Sequence, residues 1–209
     1  MEYPDLSPYE YYEFPLSMRN IGWLGPSFTP RPPAPDADPR PLRAASRVLS
    51  SVMLGRHVCP WCPGETTPGG GNGEYHYYAH DGEVYAAPAM LLHYVEVHGY
   101  RPPERFLQAL RVPGELPWDD RAERLATLLL DPSEDVLLRT AGIVDLASWK
   151  HPRTLDVLLQ AAHDPKLDVA GDDIGCALAL LPYDVPADDL PELVRWGFDL
   201  QRTTDGANP

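Results

Sequence analysis

The feature that most constrains this chain is a spacing. Cys59-Pro-Trp-Cys62 is followed, thirty residues later, by His93-Tyr-Val-Glu-Val-His98. Two thiolates on a tight knuckle and two imidazoles on a later helix form a Cys₂His₂ set for tetrahedral Zn²⁺. His93 and His98 stand five apart, about 140° around an ideal helix, so both reach one ion only where the helix loosens or ends. Gly99 supplies such an ending. A redox reading of Cys-x-x-C would need a helix starting at the first cysteine, whereas Pro63 and Gly64 follow the motif here. Two unliganded thiols are the plainer alternative. His57, two residues before Cys59, is an alternative to His98 as fourth ligand, and His76 and His80 are further imidazoles nearby. Four protein ligands leave no open coordination position, so the zinc is expected to be structural and the chain non-enzymatic.

Around this set the pattern reads as knuckle, hairpin, helix. Glu74–Ala79 and Glu83–Ala86 alternate as strands about a turn at Asp81-Gly82. Pro88 suits the first turn of a helix carrying Met90, Leu91, Tyr94 and Val97. Pro102-Pro103 opens another with Phe106, Leu107 and Leu110. Upstream, Leu42–Leu54 reads as a short helix. Ten of the 25 prolines fall within residues 1–42 among seven aromatics, which predicts an irregular arm laid on a folded surface. Gly69-Gly-Gly-Asn-Gly73 neither follows a strand nor opens a helix, so it reads as a connection and not a phosphate cradle.

Beyond Trp118 the chain is helical and repeats. Asp131-Pro132 and Asp164-Pro165 lie 33 residues apart, and Asp135/Asp168, Val136/Val169 and Gly142/Gly175 match at that offset. An apolar helix precedes each Asp-Pro (Leu125–Leu130; Leu155–Ala162) and another follows (Val136–Ala147; Val169–Leu181). The units resemble HEAT-type repeats, with a last helix over Leu190–Leu200. Cys176 reads as packing.

The motif Gly55-Arg-His-Val-Cys-Pro-Trp-Cys62, then Tyr85-Ala-Ala-Pro88, His93-Tyr94, His98 and Tyr100-Arg-Pro-Pro103 resembles a bacterial domain family of unknown function over roughly residues 20–112. The resemblance implies that His57, Cys59, Cys62, His93 and His98 belong together. It implies no activity.

The expected architecture is α+β: an arm (1–42), a small zinc-stapled knuckle–hairpin–helix module (43–113), and, packed with it, an acidic α-helical HEAT-like segment (114–209). Residues 1–118 carry 9 Lys/Arg and 13 Asp/Glu, whereas residues 119–209 carry 8 and 18. A half with a net charge of −10 disfavours nucleic acid and anionic lipid and favours a basic protein partner. With no signal-like N-terminus and no membrane-length apolar run, a cytoplasmic address is expected. The expected role is protein binding, in one version as an immunity or inhibitor protein masking a basic toxin or nuclease. The alternatives are a zinc-containing nucleic-acid-binding regulator and a zinc-dependent hydrolase using His57, His76 or His80.

Overall fold

Proline and aromatic residues in the arm, serine-rich turns and alternating strands ahead of the histidines, and long apolar periodicity after Trp118 should fold in different ways, and they do. The computed structural model describes residues 2–34, 38–52, 58–62 and 73–206. The chain divides into two compact units, Met1–Gly114 and Glu115–Pro209. It combines α-helices with a small four-stranded sheet.

In the first unit the sheet is built on a hairpin, β3 (Gly73–Tyr78) and β4 (Val84–Pro88), paired antiparallel with His76 opposite Ala86. The turn is one residue longer than a bare Asp-Gly hairpin. Ala79 N–H donates to the Glu83 carbonyl, and Gly82 takes a left-handed φ of 92°, the signature of a three-residue loop with a bulge. Pro88 ends β4 instead of opening the helix. There its missing N–H costs the sheet nothing beyond the strand's own end.

The arm is more regular than its prolines predict. It doubles back through Leu6, Ser7 and Tyr9, which exchange backbone hydrogen bonds with Asn20 and Met18. This positions β1 (Arg19–Asn20), which pairs parallel with β4, so the sheet order is β1-β4-β3-β2. Asn20 is fully buried, and its amide donates to Ser7 Oγ (3.0 Å) and the Pro8 carbonyl (2.7 Å). These two donated bonds fix the arm's register, because leaving the buried NH₂ unpaired would cost about 1–3 kcal/mol.

The helix expected over Leu42–Leu54 is cut to α1, Arg40–Ala45. The serines and β-branched residues after it favour other partners. Ser46 Oγ lies 2.7 Å from Tyr77 Oη, and Ser50 pairs with β3 through both its N–H and its Oγ. The chain then enters β2, Ser51–Val52. Met53 and Leu54 lie outside the described residues, as do Arg56, His57, Pro63, Gly64 and the glycine run up to Asn72.

α2 (Leu91–His98) and α3 (Glu104–Arg111) close the unit. Phe106 is fully buried, edge-on to Tyr77 at 5.1 Å and to Tyr85 at 5.2 Å.

The second unit runs α4 (Asp120–Leu130), α5 (Val136–Thr140), α6 (Ile143–Leu146), α7 (Pro152–Ala162), a 3₁₀ turn (Pro165–Ala170), α8 (Gly171–Ala179), a short 3₁₀ turn (Ala187–Asp189) and α9 (Glu192–Gly206). Its helix starts are written in the sequence. The Asp119 carboxylate accepts from the N–H groups of Arg121 and Ala122, Asp135 from Leu137, and Asp164 from Lys166, each an N-cap. The two segments expected as single helices after Asp-Pro are each broken, before Ile143 and before Gly171. Leu125, Leu129, Leu146, Trp149, Leu158, Ile174, Leu178 and Phe198 are buried in this unit. Arg139 is 2 % exposed, pairs with Asp164 at 2.5 Å and donates to the Leu129 carbonyl.

Gly175 and Gly197 let two helices meet backbone to backbone. A Cβ on Gly175 would strike the Val194 carbonyl and lie 2.6 Å from Phe198 N, and one on Gly197 would lie 2.7 Å from Asp172 Cα.

Candidate metal centre

Cys59 and Cys62 sit on a turn in which Cys62 N–H reaches back to the Cys59 carbonyl. His93 and His98 come from α2. The four ligand atoms lie within 4.8 Å of one another. Cys59 Sγ is 3.1 Å from His98 Nε2, and Cys62 Sγ is 3.3 Å from His93 Nε2 and 3.4 Å from His98 Nε2. The two Nε2 atoms are 3.1 Å apart.

Hydrogen bonding alone does not account for this convergence. An imidazole nitrogen offers one N–H or one in-plane lone pair, yet His98 Nε2 faces three ligand atoms at 3.1–3.4 Å. A shared central ion would arrange them so. A tetrahedron with M–N near 2.0–2.1 Å and M–S near 2.3 Å has edges of about 3.3–3.8 Å, close to the observed spacings. The cluster could hold a metal ion.

The helix end solves the five-residue spacing. Gly99 adopts φ 62°, and the N–H groups of Gly99 and Tyr100 both turn to the Tyr94 carbonyl, five and six residues back. The last turn is therefore wider than α-helical, which swings His98 towards His93. No side chain fits at Gly99. A Cβ there would stand 2.5 Å from the Arg31 carbonyl oxygen and 2.7 Å from that of Pro32. The arm is fastened at this point, since Arg31 N–H donates to the His98 carbonyl at 3.0 Å. Tyr100 Oη donates to Asp5, which also accepts from Gly22 N–H.

Cys59 and His98 are buried, while Cys62 and His93 are partly open. Burial, then the neighbouring His98, holds His93 below the usual imidazole range. Burial does the same to His98. Both shifts favour the neutral imidazole, the form that can ligate a metal. Burial, and then Cys59, raises the Cys62 thiol, so a bound cation must displace its proton. Burial, with Cys59 adding to it, pushes the Tyr94 phenol up to about 12.

Trp61 is the site residue that the spacing argument overlooks. Its ring stands edge-on to His98 at 5.6 Å, Tyr94 at 5.5 Å and Phe28 at 5.2 Å, walling the cluster with apolar surface. Its place between the two cysteines was the available signal.

The other histidines lie elsewhere. His76 is buried on β3, its Nε2 3.6 Å from Glu74 and its ring edge-on to Phe14. Glu74 also accepts a 2.7 Å hydrogen bond from Tyr9. His80 is exposed at the hairpin turn. Neither joins the four-residue cluster.

The segment carrying this geometry, residues 1–111, matches the family model described as a domain of unknown function, DUF7919. The chain belongs to that family. The match includes the arm as well as the hairpin and α2, in keeping with the resemblance read from the motif order, and ends before the second unit. No curated protein and no solved structure matches the chain. Among the described residues no helix is long and apolar enough to cross a membrane.

Proposed function

We propose that the chain is a non-catalytic, cytoplasmic protein-binding protein. A structural Zn²⁺ on Cys59, Cys62, His93 and His98 fixes the first unit. The second is a short HEAT-like array that presents an acidic face to a basic protein. The concrete version is an immunity or inhibitor protein that masks a basic toxin or nuclease. One observation carries the binding role: residues 115–209 hold 19 Asp/Glu against 8 Lys/Arg, a net charge of −11, while residues 1–114 stand at −3. Charge of one sign on one unit steers an oppositely charged partner and repels phosphate backbones.

The structural role of the metal follows from four protein ligands, which leave no position for substrate or activated water. A hydrolase would need an open position, and His76 is engaged with Glu74. The nucleic-acid alternative rests on the Cys₂His₂ chemistry and an arginine cluster. Within that cluster, Arg40 is paired with Asp38 and Arg43 with Glu96.

Three measurements test the reading. Elemental analysis of protein never exposed to chelator should give one zinc per chain, and well under half an equivalent refutes the metal assignment. A basic toxin or nuclease encoded beside this chain should be silenced at equimolar amounts. An active partner in the presence of excess chain removes the inhibitor version. Random-sequence DNA at low salt should give no electrophoretic shift.

A further inference from the structure

The second unit carries a cleft of about 460 Å³ between the 3₁₀ turn Pro165–Ala170, the start of α8 and the first turns of α9. Its floor and walls include Leu167, Ile174, Leu193 and Trp196, and its charged lining residues are Asp168 and Glu192. Trp196 is 55 % exposed and Leu193 42 %. With Leu200, also half exposed, they fall within an arc of about 60° at 3.6 residues per turn, while Val194 and Phe198 face inward and are buried. α9 therefore has two apolar faces, one used by the core and one turned outward. A large exposed tryptophan in an apolar cleft is typical of an interface anchor.

The surrounding charge selects the occupant. From Asp164 onward the chain has ten Asp/Glu and three Lys/Arg. The three cations are turned to partners inside the unit: Lys166 to the Pro132 carbonyl, Arg195 to the Asp188 and Leu190 carbonyls, and Arg202 over the Phe198 ring. A second copy placing the same cleft here would set Asp168 and Glu192 against their own counterparts.

We propose that this cleft receives an amphipathic helical segment of the partner, whose apolar side chains pack on Leu193 and Trp196 and whose Lys or Arg flanks meet Asp168 and Glu192. This rests on the protein-binding reading of the second unit and adds to it where contact is made and with what kind of segment.

The test uses the full chain and a fluorescein-labelled helical peptide of about 15 residues, roughly four turns, with leucine on one face and lysine on the other. A matching leucine/glutamate peptide is the control. Anisotropy should show saturable binding of the lysine peptide alone. Trp196→Ala and Glu192→Lys should each weaken it about tenfold or more, whereas Asp156→Lys, on an exposed position away from the cleft, should change it less than about twofold. Because Trp196 and Glu192 are exposed, both variants should keep the wild-type circular dichroism. Equal binding of the two peptides, or unchanged affinity in Trp196→Ala, overturns the proposal. So does a dimer in sedimentation that Trp196→Ala dissolves, since the cleft would then belong to a second copy. If replacing Asp172, Asp173, Asp188 and Asp189 with Asn abolishes binding while Trp196→Ala does not, the acidic-face reading stands and the cleft falls. If the wild type binds neither peptide, both fall.

Discussion

The two units are of similar size, yet different physics holds each together. The first collects its order from distant points in the sequence: a strand from the arm, a serine turn, a hairpin, and four Cys and His side chains from two places that could hold a metal ion. The second is assembled within one stretch of chain, with α4 packing on α5, α6 and α7, and α8 on α6, α7 and α9, and with aspartates marking several of the starts. Both units bury apolar residues, but the first adds to its apolar cluster a point where four Cys and His side chains converge. Damage should therefore spread through the first and stay local in the second.

The sharpest way to break this contrast is Cys59→Ser. Zinc binding and folding are linked, with apparent binding energies of about 10–16 kcal/mol in small fingers. Limited proteolysis should degrade Met1–Gly114 and leave a helical fragment starting near Glu115. A variant as resistant as the wild type would show that the metal is dispensable.

Gly99→Ala asks whether the helix end matters as much as the ligands do. It sets a Cβ against the Arg31 and Pro32 carbonyls at a left-handed φ, a strain of about 1–3 kcal/mol. Zinc should be lost to a chelator at lower concentration than from the wild type, with α4–α9 unaffected. Gly175→Ala is the counterpart in the second unit. It should separate α8 from α9 at a cost of about 1–3 kcal/mol, lowering the thermal midpoint of the helical signal while zinc content stays at one.

Acid should separate the units further. Hydrogen bonding to Arg139, then to the Lys166 N–H, holds the Asp164 carboxyl below the usual range. Its contribution is complete above the ordinary carboxylate pKa of about 3.9 and is lost as pH falls through the lower folded value, where the folded carboxylate finally takes the proton. Asp164→Asn should lower the midpoint of the helical signal at neutral pH and flatten its decline in acid. A decline of unchanged slope would place the acid sensitivity elsewhere.

The smallest effect on stability is expected from replacing Asp172, Asp173, Asp188 and Asp189 with Asn, within about 0.5 kcal/mol. Against an identified basic partner, the same change should slow association and reduce its salt dependence between 0.01 and 0.15 M, where the Debye length falls from about 30 Å to about 8 Å. An unchanged on-rate and salt slope would reduce this acidity to solvation.

Much of the Cys/His cluster was legible because ligand chemistry is sparse and spacing-sensitive. Cys59, Cys62, His93 and His98 do converge, and Gly99 does open the last turn. The hairpin and α3 were legible from alternation and from paired prolines. What escaped was whatever depended on distant pairing. β1 is two residues long, too short for any period, and exists because β4 offers an edge. The helix expected to continue past Ala45 gave way to Ser46 and Ser50, whose hydroxyls reach Tyr77 and β3, partners that no local propensity contains. In the second unit the Asp-Pro repeat located the helix pairs but not the breaks within them.

The parallel pairing of Arg19–Asn20 with Tyr85–Ala86 also sets an order of events. The hairpin closes over three residues and forms locally, whereas β1 must cross more than sixty residues of intervening chain to find its neighbour. Loop closure of that length yields nothing until the edge it seeks is in place. β4 must exist first, and α2 with its widened end must exist before Arg31 can seat on His98. The arm is then the last segment of its unit to dock, although it is synthesised before the hairpin and α2. During synthesis its tyrosines and Trp23 wait in solvent until residue 98 and beyond have emerged, and a slow refolding phase reported by Trp23 alone would be the kinetic mark of that delay.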